Sequence, residues 1–410
     1  MQTQIHDWRR AVIVASGLAT AFCALAQAQQ AGDWPQWRGP DGSGVSRETK
    51  WNSAALTGGA KIAWKASVGA GYSAVSVKGP RLYTMGNKDN ADSVVCLNTA
   101  DGAEVWRQSY PCKGGSYPGP RATPLVDGDV VYTVGRDGDV LCLDAAKGTI
   151  VWQVNITKDF GAQQPGWSHS ASPSLLGDAL VLNACRNGLA FDKKTGKKLW
   201  ASPSDVCGYA TPVFVGAAAK RQALIFGAKA MYGVDAATGN AIWSYPWQTG
   251  YDVNAADPLP IDDTIFITSG YGKGCALLKA AGSDVKAVWQ NAVMKNHVGT
   301  PVYIDGHIYG IDGQVSDSSG CVVCMDAKTG AEKWRQKVGF ASMMATTDKL
   351  IVLCERGDLI IADASPVAYK EVSRAKVLER AKSWTMPVLC GGMIYCRSDL
   401  GDLVAVDVRQ

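Results

Sequence analysis

The chain has 410 residues, of which 47% are hydrophobic and 19% charged, with a net charge of +4 at neutral pH. This composition excludes a disordered chain, and so small a charge argues against a nucleic-acid partner. Four histidines leave little for a His-rich metal centre, and the length points to several domains or one large repeat architecture.

Residues 1–28 read as a secretory signal. Arg9 and Arg10 form the positive end, an apolar stretch runs from Ala11 to about Ala26, and Ala26-Gln27-Ala28 gives the small-x-small cleavage pattern. The apolar run is shorter than the roughly 20 residues that span a bilayer. Phe22 stands before Cys23 where a lipid-attachment site needs a small residue. The expectation is an exported chain, periplasmic or secreted, with no transmembrane segment after cleavage. Residues 29–60 form an N-terminal extension containing DWPQWRGPDGSGVS.

From residue 61 to 410 one phrase recurs: a short apolar strand, Asp, two or three small or polar residues, Gly, three residues, Trp. It reads LNTADGAEVW, LDAAKGTIVW, FDKKTGKKLW, VDAATGNAIW and MDAKTGAEKW, ending at Trp106, Trp152, Trp200, Trp243 and Trp334. A longer variant ends at Trp289, a degenerate copy around Asp363 has no Trp, and KIAWKAS adds a Trp strand at Trp64. The mean interval of 45 residues from Trp64 to Trp334 gives eight repeats. Each carries four strand signals separated by Gly-containing turns, the first opened by a Thr-Pro-like start such as ATPLV at Ala122. In the turns Gly supplies positive φ and Asp accepts backbone N–H groups.

The expected fold is all-β: an eight-bladed β-propeller of four-stranded antiparallel blades. The Trp64 strand has no inner strands before it, and the C-terminal strands have no outer strand after them. Their pairing closes the ring. The tryptophans fill the wedges between blades.

Removing Cys23 from the twelve cysteines leaves an odd number. Cys96, Cys142 and Cys324 precede the repeat Asn or Asp by two residues, which marks a small buried strand position. Cys321 and Cys324 lie three apart on one strand and therefore face opposite ways. Cys112 and Cys207, both in loops, are the pair to test as a disulfide.

In such a ring the natural pocket is the channel mouth, lined by the loops entering each innermost strand. These carry Tyr72, Arg121, His169, Tyr209, Asn254, His297, Ser342 and Trp384. Arg121, His169, Tyr209, Asn254, His297 and Trp384 are the candidate binding residues. Two loops are long, 110–121 and 158–170, the second carrying Gln163, Gln164 and Trp167.

The D-A-x-T-G-x-x-x-W phrase resembles the repeat of the quinoprotein (PQQ-repeat) β-propellers over essentially the whole chain after the signal. DWPQWRGPDGSGVS resembles the segment that precedes the propeller in exported bacterial members. The resemblance implies one of two functions. One is a non-catalytic scaffold of the cell envelope that binds a protein or peptide, like the propeller of the outer-membrane β-barrel assembly machinery. The other is a quinoprotein oxidoreductase acting on alcohols or sugars through PQQ and Ca2+, or a PQQ-binding protein. A small-molecule ligand at the mouth is compatible with both, and an aromatic mouth also admits a carbohydrate. Those dehydrogenases commonly carry an adjacent Cys-Cys pair and Ca2+-ligating acids. This chain has no Cys-Cys pair, and only Asn254 and Asp257 stand near the mouth as oxygen ligands. GxSxG, HExxH, P-loop and CxxCH motifs are also missing. The balance favours the scaffold, and no catalytic or metal-binding residue is assigned.

Overall fold

The computed structural model describes residues 32–217, 221–379 and 382–410. The signal reading of residues 1–28 lies outside them. The described residues form eight four-stranded antiparallel sheets, blades 1 to 8. Blades 1 to 7 span 76–111, 125–155, 174–201, 213–246, 259–291, 302–337 and 341–376. Blade 8 takes three strands from 388–407 and its outermost strand from Ile62–Ser67, which pairs antiparallel with Asp402–Asp407. The ring therefore closes as expected, with no blade edge left open by the chain ends.

The recurring phrase is explained by what each indole touches. Trp106 donates its Nε1–H to the carbonyl of Ala145, in the Asp-x-x-x-Gly turn of the next blade, at 3.0 Å. Trp64, Trp152, Trp200 and Trp289 do the same to Thr99, Lys193, Ala236 and Ala327, at 2.8 to 3.1 Å. The ring of each lies on the turn glycine of that blade. A side chain at Gly102, Gly148, Gly196, Gly239 or Gly330 would collide with it. The turn itself is fixed by Asp, as where Asp144 Oδ1 accepts from the N–H groups of Ala146 and Lys147. Asp and Gly thus build a platform, and the preceding blade's Trp docks on it.

Two departures show the same rule. Blade 5 has lost its turn Asp, and Trp243 of blade 4 instead bonds Gln222 of its own blade. Blade 7 has Ser373 near the Trp position. Its Oγ donates to Ser53 in the extension, and Trp51 and Leu56 from that extension are buried with blades 7 and 8.

The residue before each Trp is bulged, as the register shifts between Ile150 and Trp152 and between Ile62 and Trp64 show. The bulge leaves Val105, Val151, Leu199 and Val288 exposed. Cys96, Cys142 and Cys324 sit directly opposite Trp106, Trp152 and Trp334. The same position is Ala190 opposite Trp200, Gly233 opposite Trp243 and Leu277 opposite Trp289, so a small side chain is common there without being required. Cys321 and Cys324 belong to different wedges, between blades 5 and 6 and between blades 6 and 7.

Cys112 and Cys207, the pair named for a disulfide test, are not joined. All eleven described cysteines are free and buried. Cys112 Sγ lies 3.4 Å from Asp137 Oδ2 in the packing of blades 1 and 2, whereas Cys207 Sγ lies 4.0 Å from His169 Nδ1.

Replacing Trp106 by Ala removes a half-buried ring and a cross-blade hydrogen bond. The expected loss is about 3–5 kcal/mol in urea-induced unfolding. A loss below about 1 kcal/mol would show that the wedge does not depend on the indole.

Candidate channel-mouth site

The channel wall is built from the Thr-Pro-like starts. Ala74 N–H donates to Thr123 Oγ1 at 3.2 Å, Thr123 N–H to Ser172 Oγ at 2.9 Å, and Ser172 N–H to Thr211 Oγ1 at 3.1 Å. The belt continues from Thr211 N–H to Asp257 Oδ1 at 2.7 Å, and from Asp257 N–H to Thr300 Oγ1 at 2.9 Å. Each hydroxyl sits one residue before the proline and links its blade to the one before it. Blade 5 alone has an acid at this position.

The extension crosses the channel at the far ends of the innermost strands. Trp34 pairs with Val77 of blade 1, Pro35 accepts from Val126 of blade 2, and Val45–Ser46 pairs parallel with blade 7. Trp37 Nε1–H donates to Asp257 Oδ2 at 2.6 Å. Arg38, 2% exposed, lies 3.9 Å from the same oxygen and donates to the carbonyls of Gly42, Ser43, Thr300 and Pro301. Burial lowers Arg38 to about 10 and pushes Asp257 up; their mutual attraction opposes both shifts, and the hydrogen bonds from Trp37 and Thr211 oppose that of Asp257. Asp257 is thereby consumed in holding the plug.

Above the plug is a cup of about 230 Å3 with Trp37 among its lining residues. Tyr72 and Trp384 form one wall, stacked at 5.2 Å between centroids and 16° between planes. Tyr117 and Trp167, from the two long loops, meet edge to face and are partly exposed. Arg121 lies over Tyr72 at 5.6 Å and donates to the carbonyls of Gly119 and Tyr117. No carboxylate among the described residues is within ion-pair distance of Arg121. Burial, and then Arg136, lower its pKa to about 10, so it stays charged at neutral pH. Burial raises Tyr72 and Tyr209 to about 12, which keeps both phenols protonated. Burial lowers His297 to about 4, and its Nδ1 accepts from Val315 N–H, which assigns the proton to Nε2.

Of the expected residues, Arg121, Tyr209, His297 and Trp384 line this cup, as does Tyr72. His169 and Asn254 do not. His169 bonds Thr157 and contacts Cys207. Asn254, fully buried, donates to the carbonyls of Gly227, Ala228 and Trp247 and accepts from Ser269. Ser342 donates to the Trp384 carbonyl behind the wall. Trp37, Tyr117 and Tyr271 were not expected. Asp257, expected near the mouth as an oxygen ligand, stands where blades 2, 3, 4 and 6 carry Thr or Ser before the proline, and that exchange is its signal in the sequence.

A family model described as "Outer membrane protein assembly factor BamB" matches residues 43–205 and 91–336. The chain belongs to this family. A relative from Burkholderia pseudomallei, an outer membrane protein assembly factor BamB, is 25% identical over 68% of this chain and 69% of its own length. Among solved structures, BamB from Moraxella catarrhalis superposes with a TM-score of 0.62 at 16% identity, covering 84% of this chain and 99% of that one. Quinohemoprotein alcohol dehydrogenase from Comamonas testosteroni gives 0.68 at 13% identity, covering 94% and 82%. These superpositions show the shared fold.

The side chains do not fit PQQ held with Ca2+. Among the described residues no three His, Cys, Asp or Glu side chains cluster to hold a metal. Asp257 already accepts from Trp37 and Thr211, and Asn254 Oδ1 accepts from Ser269.

Two outcomes follow. Arg38→Ala leaves Asp257 buried without its cation and should cost about 3–5 kcal/mol in urea unfolding; an unchanged midpoint would contradict the plug. Burial holds His169 and His297 neutral when folded, lowering both to about 4 from the ordinary imidazole value of 6.5. Between these values the unfolded chain binds more protons, so their contribution is complete above about 6.5 and is lost as pH falls toward 4. His297→Gln should flatten the decline of the urea midpoint across that window, and an unaltered slope would contradict the assignment.

Proposed function

We propose that the chain is an exported, non-catalytic binding propeller of the cell envelope, with the channel mouth as its binding site. The observation that carries this reading is the chemistry of the cup. It offers aromatic walls and hydrogen-bond donors, and among the described residues its one carboxylate is locked to the plug, leaving neither a free general base nor a metal-ligand set there. Membership of the BamB family and the Burkholderia relative, named as an outer membrane protein assembly factor, support an envelope role. The signal-like residues 1–28 support export. No described helix is long and apolar enough to cross a membrane. A protein or peptide partner in the envelope fits the names of the relatives, and likeness to the dehydrogenases extends to the fold alone.

The test is complementation in the native host. Deletion of the gene should raise sensitivity to antibiotics that an intact outer membrane excludes. The unaltered chain should restore resistance, and a folded Trp167→Ala/Trp384→Ala double variant should not. Full restoration by the double variant would move the binding site away from the mouth.

A further inference from the structure

Among the described residues the charged groups facing the cup are one-sided. Arg121 has no carboxylate partner among the described residues, and the phenols of Tyr72 and Tyr209 remain protonated. The Nε2–H of His297 has no protein acceptor among the described residues. Asp257, the one carboxylate lining the cup among the described residues, already takes Trp37, Thr211 and Arg38. The hydroxyls lining the cup, those of Tyr72, Tyr209, Ser170 and Thr385 among them, can donate or accept, so the selecting feature is charge: a guanidinium without a carboxylate partner favours an anionic ligand. A neutral sugar would leave the Arg121 guanidinium without a counter-charge. A single guanidinium matches one carboxylate. The volume of about 230 Å3 and the flat Tyr72–Trp384 wall match one ring stacked beside it.

We infer that the mouth binds a small monocarboxylic acid carried on a single apolar ring, without a metal, with Arg121 holding the carboxylate and Trp384 stacking on the ring. This rests on the mouth being the binding site. Arg121 is partly buried and Arg136 adds like charge, so an anion relieves a repulsion that a neutral isostere cannot.

The experiment is calorimetric titration of the full chain with phenylacetate, its neutral isostere phenylacetamide and glucuronate, each with Ca2+ and with EDTA. Phenylacetate should bind saturably and about tenfold or more tightly than the amide, with no effect of Ca2+. Arg121→Gln should bring the acid down to the affinity of the amide and leave the amide unchanged, which also shows that the cup is intact. Trp384→Leu should weaken both. Equal binding of acid and amide, indifference to Arg121→Gln, or tighter binding of glucuronate would each overturn the inference. So would no binding of phenylacetate at millimolar concentration. In that case, failure of the mouth double variant in complementation would keep the mouth as the site and reject only the ligand class. Restoration by that variant would reject both.

Discussion

The fold depends on one contact, an indole seated on the turn of the next blade. A four-stranded blade has no core of its own and is stable only between neighbours. The contact supplies what the wedge needs: a large flat ring, a carbonyl that receives its N–H, and a glycine that lets the two surfaces meet. Trp106 on Gly148, with its N–H on Ala145, is the pattern, and four further blade junctions repeat it. Where the chain lacks the ring, in blade 7, the extension brings Trp51 and Leu56 to the same junction.

The extension has a second role in the channel. By crossing it, Trp37 and Arg38 turn an open bore into a cup with a floor, and they do so through Asp257. A carboxylate accepting two hydrogen bonds beside a buried guanidinium is no longer a base for chemistry at the mouth. The structural use of Asp257 and the binding character of the mouth are therefore one feature. The cup keeps an uncompensated cation and aromatic walls, which suits recognition.

Much of this was legible in the residues. Seven evenly spaced tryptophans, Asp and Gly at fixed offsets, and an orphan Trp64 strand imply the ring and its closure without any long-range information. Arg121, Tyr209, His297 and Trp384 were reachable because loops entering innermost strands must line the mouth. His169 and Asn254 share that position in sequence but turn inward, since neighbouring blades give them Thr157 and a set of backbone carbonyls to bond. Whether a polar side chain at a blade entrance faces the channel or the wedge depends on partners 7 to 27 residues away. Trp37 was hidden for the same reason, as its partner Asp257 lies 220 positions along the chain. The cysteine pair failed because loop placement says nothing about which wedge each thiol enters.

Family membership joins this chain to envelope assembly factors, and the shared fold joins it to quinoprotein dehydrogenases. What separates the two readings is whether the mouth holds a metal-dependent quinone. The most direct measurement is titration of the full chain with PQQ, in parallel with Ca2+ and with EDTA, followed by dye reduction with simple alcohols. The account predicts the same isotherm in both and no reduction. Ca2+-dependent saturation accompanied by dye reduction would contradict it and make the mouth an active site.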